Sequence, residues 1–248
     1  LSGAKIRNFF GFSGTQISWL YSNDGNGNFT KVNGTPFLGL SYSSVSYKDI
    51  NNDNVLDIIS SGEDYMTGDN FVKYYANDGT GNFSETTGAA FPPMKRVDFR
   101  AADFDNDGVD DILFIGLESS GSPNVRLFKN QGTELNPSYS FVSSSIAKVI
   151  DGSIDVADVN GDNTLDVFVS GRLTNGTKVS RLYLNNGNFG FSLLQGTPFV
   201  GVDSGDSAFA DVDDDGDQDL LITGLDSNNN TVLKLYLNDG SGTFTEAV

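Results

Sequence analysis

Asp103-Phe104-Asp105-Asn106-Asp107-Gly108-Val109-Asp110-Asp111 is one of four nine-residue segments built on a single plan in this 248-residue chain. The others are Asp49-Ile50-Asn51-Asn52-Asp53-Asn54-Val55-Leu56-Asp57, Asp158-Val159-Asn160-Gly161-Asp162-Asn163-Thr164-Leu165-Asp166 and Asp211-Val212-Asp213-Asp214-Asp215-Gly216-Asp217-Gln218-Asp219. Their first aspartates stand 54, 55 and 53 residues apart. A constant period of this size marks a propeller or a solenoid, in which each repeat is one supersecondary unit that buries its faces against its neighbours.

Downstream of each loop lies an apolar stretch that ends in glycine five residues after the last Asp, at Gly62, Gly116, Gly171 and Gly224. These stretches read as strands buried on both faces, too short for helices. A second strand follows, as in Arg181-Leu182-Tyr183-Leu184-Asn185 and Lys234-Leu235-Tyr236-Leu237-Asn238, and then a turn cluster that closes on Phe29, Phe83, Phe189 or Phe244. Asn-Gly and Asp-Gly pairs supply the positive φ angles of hairpin turns, so a third strand comes next. A further strand such as Ser207-Ala208-Phe209-Ala210 leads back to the next acidic loop. Each unit is thus four antiparallel strands with the acidic loop between its first and second, the anatomy of a propeller blade.

The pattern predicts an all-β fold, a β-propeller of four-stranded antiparallel blades forming one domain over residues 1–248. About five units are expected, near 1–42, 43–96, 97–152, 153–205 and 206–248. Leu1-Ser2-Gly3 aligns with the end of a strand that follows a loop, so the first unit is expected to hold three strands and the chain 19. Either a three-stranded blade closes a five-bladed ring, or the chain is a portion of a larger propeller.

Loop positions 1, 3, 5 and 9 are Asp or Asn in all four copies. Calcium takes about 6–8 oxygen ligands, so a tight loop that presents several carboxylates and one backbone carbonyl meets its demand. The expected side-chain ligands are Asp49, Asn51, Asp53 and Asp57; Asp103, Asp105, Asp107 and Asp111; Asp158, Asn160, Asp162 and Asp166; and Asp211, Asp213, Asp215 and Asp219. The carbonyl is expected from position 7, which is Val55, Val109, Thr164 or Asp217 and so varies freely in side-chain chemistry. An EF-hand would need Glu at position 12, where Ser60, Phe114, Val169 and Ile222 stand, so the Asp at position 9 is the expected last ligand. Magnesium, which demands strict octahedral geometry and retains water, suits such loops less well. Turn formation alone accounts for one Asp-rich loop. It does not account for 17 of the 33 acidic residues gathered in four loops, where like charges crowd together. About four structural Ca²⁺ ions are therefore expected.

The formal charge of −18 repels polyanions, which argues against nucleic acid as a partner. There is no Cys and no His, which removes disulfides, thiol and imidazole catalysis and ordinary zinc sites. No apolar run approaches the length of a membrane span, so direct membrane insertion is not expected.

The loops, the apolar strand with its glycine and the aromatic-x-Asn-x-Gly-x-Phe stretch resemble the FG-GAP or VCBS repeat family, which includes the propeller heads of integrin α subunits. The resemblance implies Ca²⁺ in the four loops on one propeller face. The chain departs from the family in lacking a clear Phe-Gly/Gly-Ala-Pro pair; Gly34-Thr35-Pro36 and Gly196-Thr197-Pro198 come nearest. It implies the scaffold and not integrin-like partner binding. Loops that need calcium point to a secreted or surface-anchored protein, expected to be bacterial and part of a larger polypeptide or assembly. The leading expectation is a non-enzymatic adhesion or recognition module that binds a protein or glycan at a propeller face. A polysaccharide lyase-like enzyme, which some relatives of the family resemble, and a purely structural spacer are the alternatives.

One further column stands four residues before the Asn that ends each second strand: Trp19, Lys73, Arg126, Arg181 and Lys234. It reads either as a repeated ion pair between blades or as cations around an anionic ligand, with Trp19 as a stacking platform. Asn-x-Ser/Thr sequons at Asn28, Asn33, Asn82 and Asn175 follow from the Asn-rich turns.

Overall fold

The computed structural model describes residues 5–8, 16–51, 53–64, 66–86, 91–132 and 138–247. The expectation placed on Leu1-Ser2-Gly3, and Asn52 of the first loop, lie outside the described residues. Nineteen strands and no helix are found among those described. The first sheet has three strands, β1 (Lys5–Asn8), β2 (Ser18–Asn23) and β3 (Phe29–Val32). Four sheets of four strands follow: β4 (Ser41–Lys48), β5 (Asp57–Glu63), β6 (Asn70–Asn77), β7 (Phe83–Glu85); β8 (Met94–Ala102), β9 (Asp111–Glu118), β10 (Pro123–Asn130), β11 (Tyr139–Val142); β12 (Ile154–Ala157), β13 (Asp166–Arg172), β14 (Lys178–Leu184), β15 (Ser192–Leu193); and β16 (Ser207–Ala210), β17 (Asp219–Leu225), β18 (Thr231–Asn238), β19 (Phe244–Glu246). Each is an open sheet with its strands in chain order, and the acidic loop joins its first two strands. These are propeller blades.

The chain divides into two compact units. One comprises Leu1–Val97, Glu118–Ser120 and Gln131–Tyr139; the other comprises Asp98–Leu117, Gly121–Asn130 and Ser140–Val248. In the first, β5 is buried on both faces, with Ile58 and Ile59 fully enclosed. Phe37, which follows Gly34-Thr35-Pro36, meets Tyr75 and Phe83 edge-on at 5.1 and 5.2 Å. The Leu38 N–H donates to the Tyr75 hydroxyl at 3.2 Å, so that the apolar ring keeps a polar partner.

The second unit repeats this joint. Phe199, after Gly196-Thr197-Pro198, packs edge-on against Tyr236 and Phe244, each at 5.1 Å, and the Val200 N–H donates to the Tyr236 hydroxyl at 3.0 Å. Its interior is a run of aliphatic and aromatic side chains, including Leu113, Ile115, Val167, Val169 and Phe104 in one cluster and Phe168, Leu182, Leu220 and Ile222 in the next. Arg100 on β8 bridges Asp98 at 3.0 Å and Asp155 of β12 at 3.2 Å. Asp98 accepts the Ile154 N–H and Asp155 accepts the Phe209 N–H, which ties the first strands of successive blades together.

The glycine that ends each buried strand is explained by close approach. Gly171 has φ of 139°, and a Cβ there would lie 2.8 Å from Val149 Cβ and 3.0 Å from Ile150 O. Gly224, with φ of 146°, would place a Cβ 2.7 Å from Asp203 O. At both points the chain entering the blade crosses the strand and bridges it, Ile150 with Arg172 and Asp203 with Leu225.

One turn departs from the sequence reading. Asn186 N–H donates to Gly190 O at 3.2 Å, as Asp24 does to Asn28 O, Asp78 to Asn82 O and Asp239 to Thr243 O. The fourth hairpin therefore closes on Phe191, which is buried like Phe244, and not on Phe189. Phe189 directly follows an Asn, as Phe29 and Phe83 do, whereas Phe191 stands six residues after the Asn at the end of the second strand, as Phe29, Phe83 and Phe244 do.

Replacing Gly171 by Ala is expected to destabilise the fold by about 1–3 kcal/mol, because the new methyl meets backbone that cannot retreat. Equilibrium denaturation of the Gly171→Ala protein measures this; wild-type stability would refute the close-packing account.

Candidate functional site

The four acidic loops share one internal hydrogen-bond plan. The Asp at position 1 accepts the N–H groups of positions 5 and 6: Asp49 from Asp53 and Asn54 at 3.0 and 2.7 Å, Asp103 from Asp107 and Gly108 at 3.1 and 2.8 Å, Asp158 from Asp162 and Asn163 at 3.2 and 2.8 Å, Asp211 from Asp215 and Gly216 at 3.2 and 3.0 Å. The Asp at position 5 accepts the N–H of position 7 at 2.8 to 3.0 Å in every loop. Positions 4 and 6 turn left-handed: Asn106, Gly161 and Asp214 at the former, Asn54, Gly108, Asn163 and Gly216 at the latter, all with φ between 58° and 98°. Asn, Asp and Gly are the residues that tolerate this conformation, which explains why the even positions are as restricted as the odd ones.

The Asp at position 9 begins the buried strand and is almost wholly enclosed in all four copies. One of its oxygens accepts the N–H of loop position 2, as Asp111 does from Phe104 at 3.0 Å. The other accepts the N–H of the Asn at the end of the following strand, as Asp111 does from Asn130 at 2.9 Å. Asp57, Asp166 and Asp219 do the same with Ile50 and Asn77, Val159 and Asn185, Val212 and Asn238. Tyr74 adds its hydroxyl to Asp57 at 2.8 Å. Burial pushes Asp57 up, Asp111 to about 7 and Asp166 to about 6, against the pull of those N–H groups. A nearby divalent cation would return such carboxyls to their charged form.

The conserved-in-copy Asn has a role that the sequence reading missed. Asn185 Nδ2 donates to Phe104 O in the preceding blade's loop at 2.9 Å and to Leu165 O in its own at 3.2 Å. Asn238 Nδ2 does likewise with Val159 O and Gln218 O. The available signal was its recurrence 19 or 20 residues after the last Asp, at Asn77, Asn130, Asn185 and Asn238.

Carboxylate oxygens of Asp103, Asp105 and Asp107, and of Asp211, Asp213 and Asp215, lie within 4.8 Å of one another. In loops 1 and 3, Asn51 and Asn160 take position 3, and each donates its amide to the Asp at position 5 at 2.9 and 3.0 Å. The position-9 carboxylates stand apart as the anchors of the loop, and in Asp57 both lone pairs of Oδ2 are taken, by the Ile50 N–H and the Tyr74 hydroxyl. The donor set is all oxygen, which suits a hard cation. A test of fit is given by Asp105 Oδ1, which is buried and accepts no hydrogen bond. In loop 4, desolvation and the neighbouring Asp215 raise both Asp213 and Asp217.

Loop 2 differs in carrying its own cation. Lys129 on β10 pairs with Asp105 and, at 2.8 Å, with Asp107. The two carboxylates hold Lys129 well above the usual lysine range and its ammonium holds Asp107 below the usual carboxylate range. The matching residues of the next two blades are Leu184 and Leu237.

The two lysines of the column on the second strands form their ion pairs within one sheet, where the sequence reading set pairs between blades. Lys73 pairs with Glu85 at 2.5 Å and Lys234 pairs with Glu246, in each case across one sheet. Arg126 lies 5.3 Å from the Phe141 ring centroid, and in the first sheet the roles reverse, with the Lys31 ammonium 3.9 Å over Trp19. These are diagonal cross-strand pairs of alternating chemistry. The Asn-Asp-Gly clusters are turns, as read: Asp24, Asp78 and Asp239 each accept backbone N–H groups of their own turn.

Comparison with known proteins follows this geometry. A family model described as FG-GAP-like repeat matches residues 64–114, 103–169 and 158–222. No curated protein sequence matches the chain. Among solved structures, AofleA from Arthrobotrys oligospora overlaps with a TM-score of 0.54 at 13% identity, covering 93% of this chain and 64% of that one. The fungal lectin from Aleuria aurantia, described as a six-bladed β-propeller with a novel fucose recognition mode, overlaps with a TM-score of 0.52 at 9% identity, covering 94% and 70%. An α-L-arabinanase from Cellvibrio cellulosa covers 93% and 88% at 15% identity, but its TM-score of 0.39 is too low to inform this chain. The first two overlaps establish the β-propeller fold, and the chain spans less than two thirds of the length of AofleA.

Replacing Lys129 by Leu is expected to act in opposite directions with and without metal. Calcium titration should reveal tighter binding at loop 2, while in chelator the variant should melt below wild type because three clustered carboxylates lose their ammonium. Parallel melting curves in both conditions would contradict the assignment.

Proposed function

The chain belongs to the FG-GAP-like repeat family, and we propose that it is a calcium-stabilised, non-catalytic β-propeller that recognises a glycan outside the cell. The observation that carries the calcium reading is the fourfold recurrence of one loop, with position 1 and position 5 carboxylates folded by the same N–H donors. Ca²⁺ would be held by Asp49, Asn51, Asp53, Asp57 and the Val55 carbonyl in loop 1 and by the corresponding residues of the other three. When bound it supplies charge neutralisation and nothing else to the fold. Affinity rises with ligand charge, so loop 4, with Asp at positions 1, 3, 5 and 9 and no lysine partner, is the tightest. Loop 2 is the weakest because Lys129 must be displaced. Millimolar calcium is found outside cells, which is the reason for an extracellular or surface location. No helix among the described residues is long and apolar enough to cross a membrane.

The recognition reading rests on the fold shared with two fungal propellers, one of which is described as recognising fucose. An absence of His and Cys supports a non-catalytic role. Protein ligands remain the second class to which a propeller face is suited.

A site filled at 100 times its dissociation constant contributes about 2.7 kcal/mol. Exhaustive EGTA treatment is therefore expected to lower the melting temperature by on the order of 20 °C for three or four sites. Elemental analysis of the untreated protein should find calcium. An unchanged melting curve together with no bound metal would reject the calcium reading. Screening the calcium-loaded protein on a glycan array tests recognition, and the reading fails if no glycan is retained.

A further inference from the structure

Phe189 occupies a place that the chain otherwise reserves for glycine. Aligning the hairpins by their closing hydrogen bonds puts Phe189 opposite Gly27, Gly81 and Gly242, whose φ angles are 89°, 91° and 82°. Phe189 adopts φ of 58° there. A bulky aromatic in the left-handed region is strained, and such strain collects where a side chain is needed for a task other than folding. Phe191 fills the buried packing role at this turn and meets Phe104 edge-on at 5.9 Å, while Phe189 packs against the same core from its edge. Phe189 is only half-buried, with the Lys129 ammonium 5.6 Å from its ring centroid.

What lies beside the ring gives the strain a purpose. Phe189 lines a cavity of about 530 Å³ together with Ser143, Ser144, Ser145, Asn186 and Ser192. Small-molecule sites commonly measure about 300–1,000 Å³. In a chain of charge −18, no charged side chain among the described residues lines this cavity. Its polar groups are the hydroxyls of the serines and the amides of Asn185 and Asn186, short donors and acceptors that suit a neutral, polyhydroxylated ligand. An aromatic ring suits the C–H face of the same molecule. Ser145 spends its hydroxyl on Phe191 O at 2.5 Å, and Asn186 Oδ1 accepts the Asn188 and Gly190 N–H groups, which pins the rim of the cavity to the strained turn.

We infer that the cavity between Ser143–Ser145 and the Asn186–Ser192 turn is a binding site for a neutral pyranose sugar, with Phe189 as the platform on which the sugar ring stacks. The inference rests on the recognition reading above and names its site and ligand class.

The test uses calcium-loaded protein and methyl glycosides of D-galactose, L-fucose and D-glucose as probes, with N-acetylneuraminic acid as the anionic control, read by saturation-transfer NMR and calorimetry. Phe189→Gly restores the turn residue of the other copies, so its melting temperature should rise by about 2–4 °C while affinity for the bound neutral probe falls at least about tenfold. Phe189→Tyr should retain binding. Ser144→Leu, which fills the cavity without touching the turn, should lose it and keeps the test decisive if the glycine variant fails to fold. Wild-type affinity in both Phe189→Gly and Ser144→Leu would overturn this site while leaving the recognition reading in place. Preference for the anionic control would overturn the ligand class. Binding of no probe by the wild-type protein, with no glycan retained on the array, would overturn both.

Discussion

The buried carboxylate at the end of each acidic loop is where the fold and the candidate site become one structure. Asp57, Asp111, Asp166 and Asp219 sit at the first residue of a strand that is enclosed on both faces in the first three copies and exposes Leu221 in the fourth, and each accepts one N–H from its loop and one from the end of the neighbouring strand. A carboxyl in that position without donors would be costly to bury. With them it fixes the loop in register with the sheet, so the carboxylates at positions 1, 3 and 5 are presented from a rigid base and not from a free turn. Burial opposes the ionised form of Asp57, Asp111 and Asp166, and the loop carboxylates of the same cluster add to that opposition in Asp111 and Asp166. The arrangement has excess negative charge that its own N–H groups only partly offset, which is the physical case for a divalent cation.

Within the second unit, the same economy of parts links one blade to the next. The Asn that caps the third-in-line strand reaches back to a carbonyl in the previous loop, and the Phe after Gly-Thr-Pro reaches forward between a Tyr and a Phe. Loop geometry and blade packing therefore depend on each other. A disturbance at one loop has a route, through Asn185 or Asn238, to the carbonyl of its neighbour. Lys129 shows that the charge of a loop can be offset by a side-chain ammonium of the chain itself.

The proposed recognition site differs from the acidic loops in chemistry while adjoining them. The loops are dense in charge, whereas the cavity beside Phe189 is lined by hydroxyl, amide and aromatic groups, and Asn185, which lines it, also bonds the loop carbonyls of Phe104 and Leu165. At a neutral site the net field of an acidic protein adds nothing, so contact chemistry and shape would have to provide selectivity.

The period of the Asp loops, the apolar stretch after each and the Asn-Gly turns made the blade legible from the sequence, because each signal is local and repeats four times. The four acidic loops were legible as one repeated turn for the same reason. The pairing partners of the cations at 73 and 234 and the task of the recurring Asn were not legible. Each depends on which residues meet across a strand or a blade boundary. Sequence alone determined that Asp, Asn and Gly recur at fixed places in four loops of one length; only the tertiary structure decided which carboxylate is buried, which loop receives a lysine and which carbonyls the Asn side chain reaches, because burial and long-range contact have no signature in local spacing.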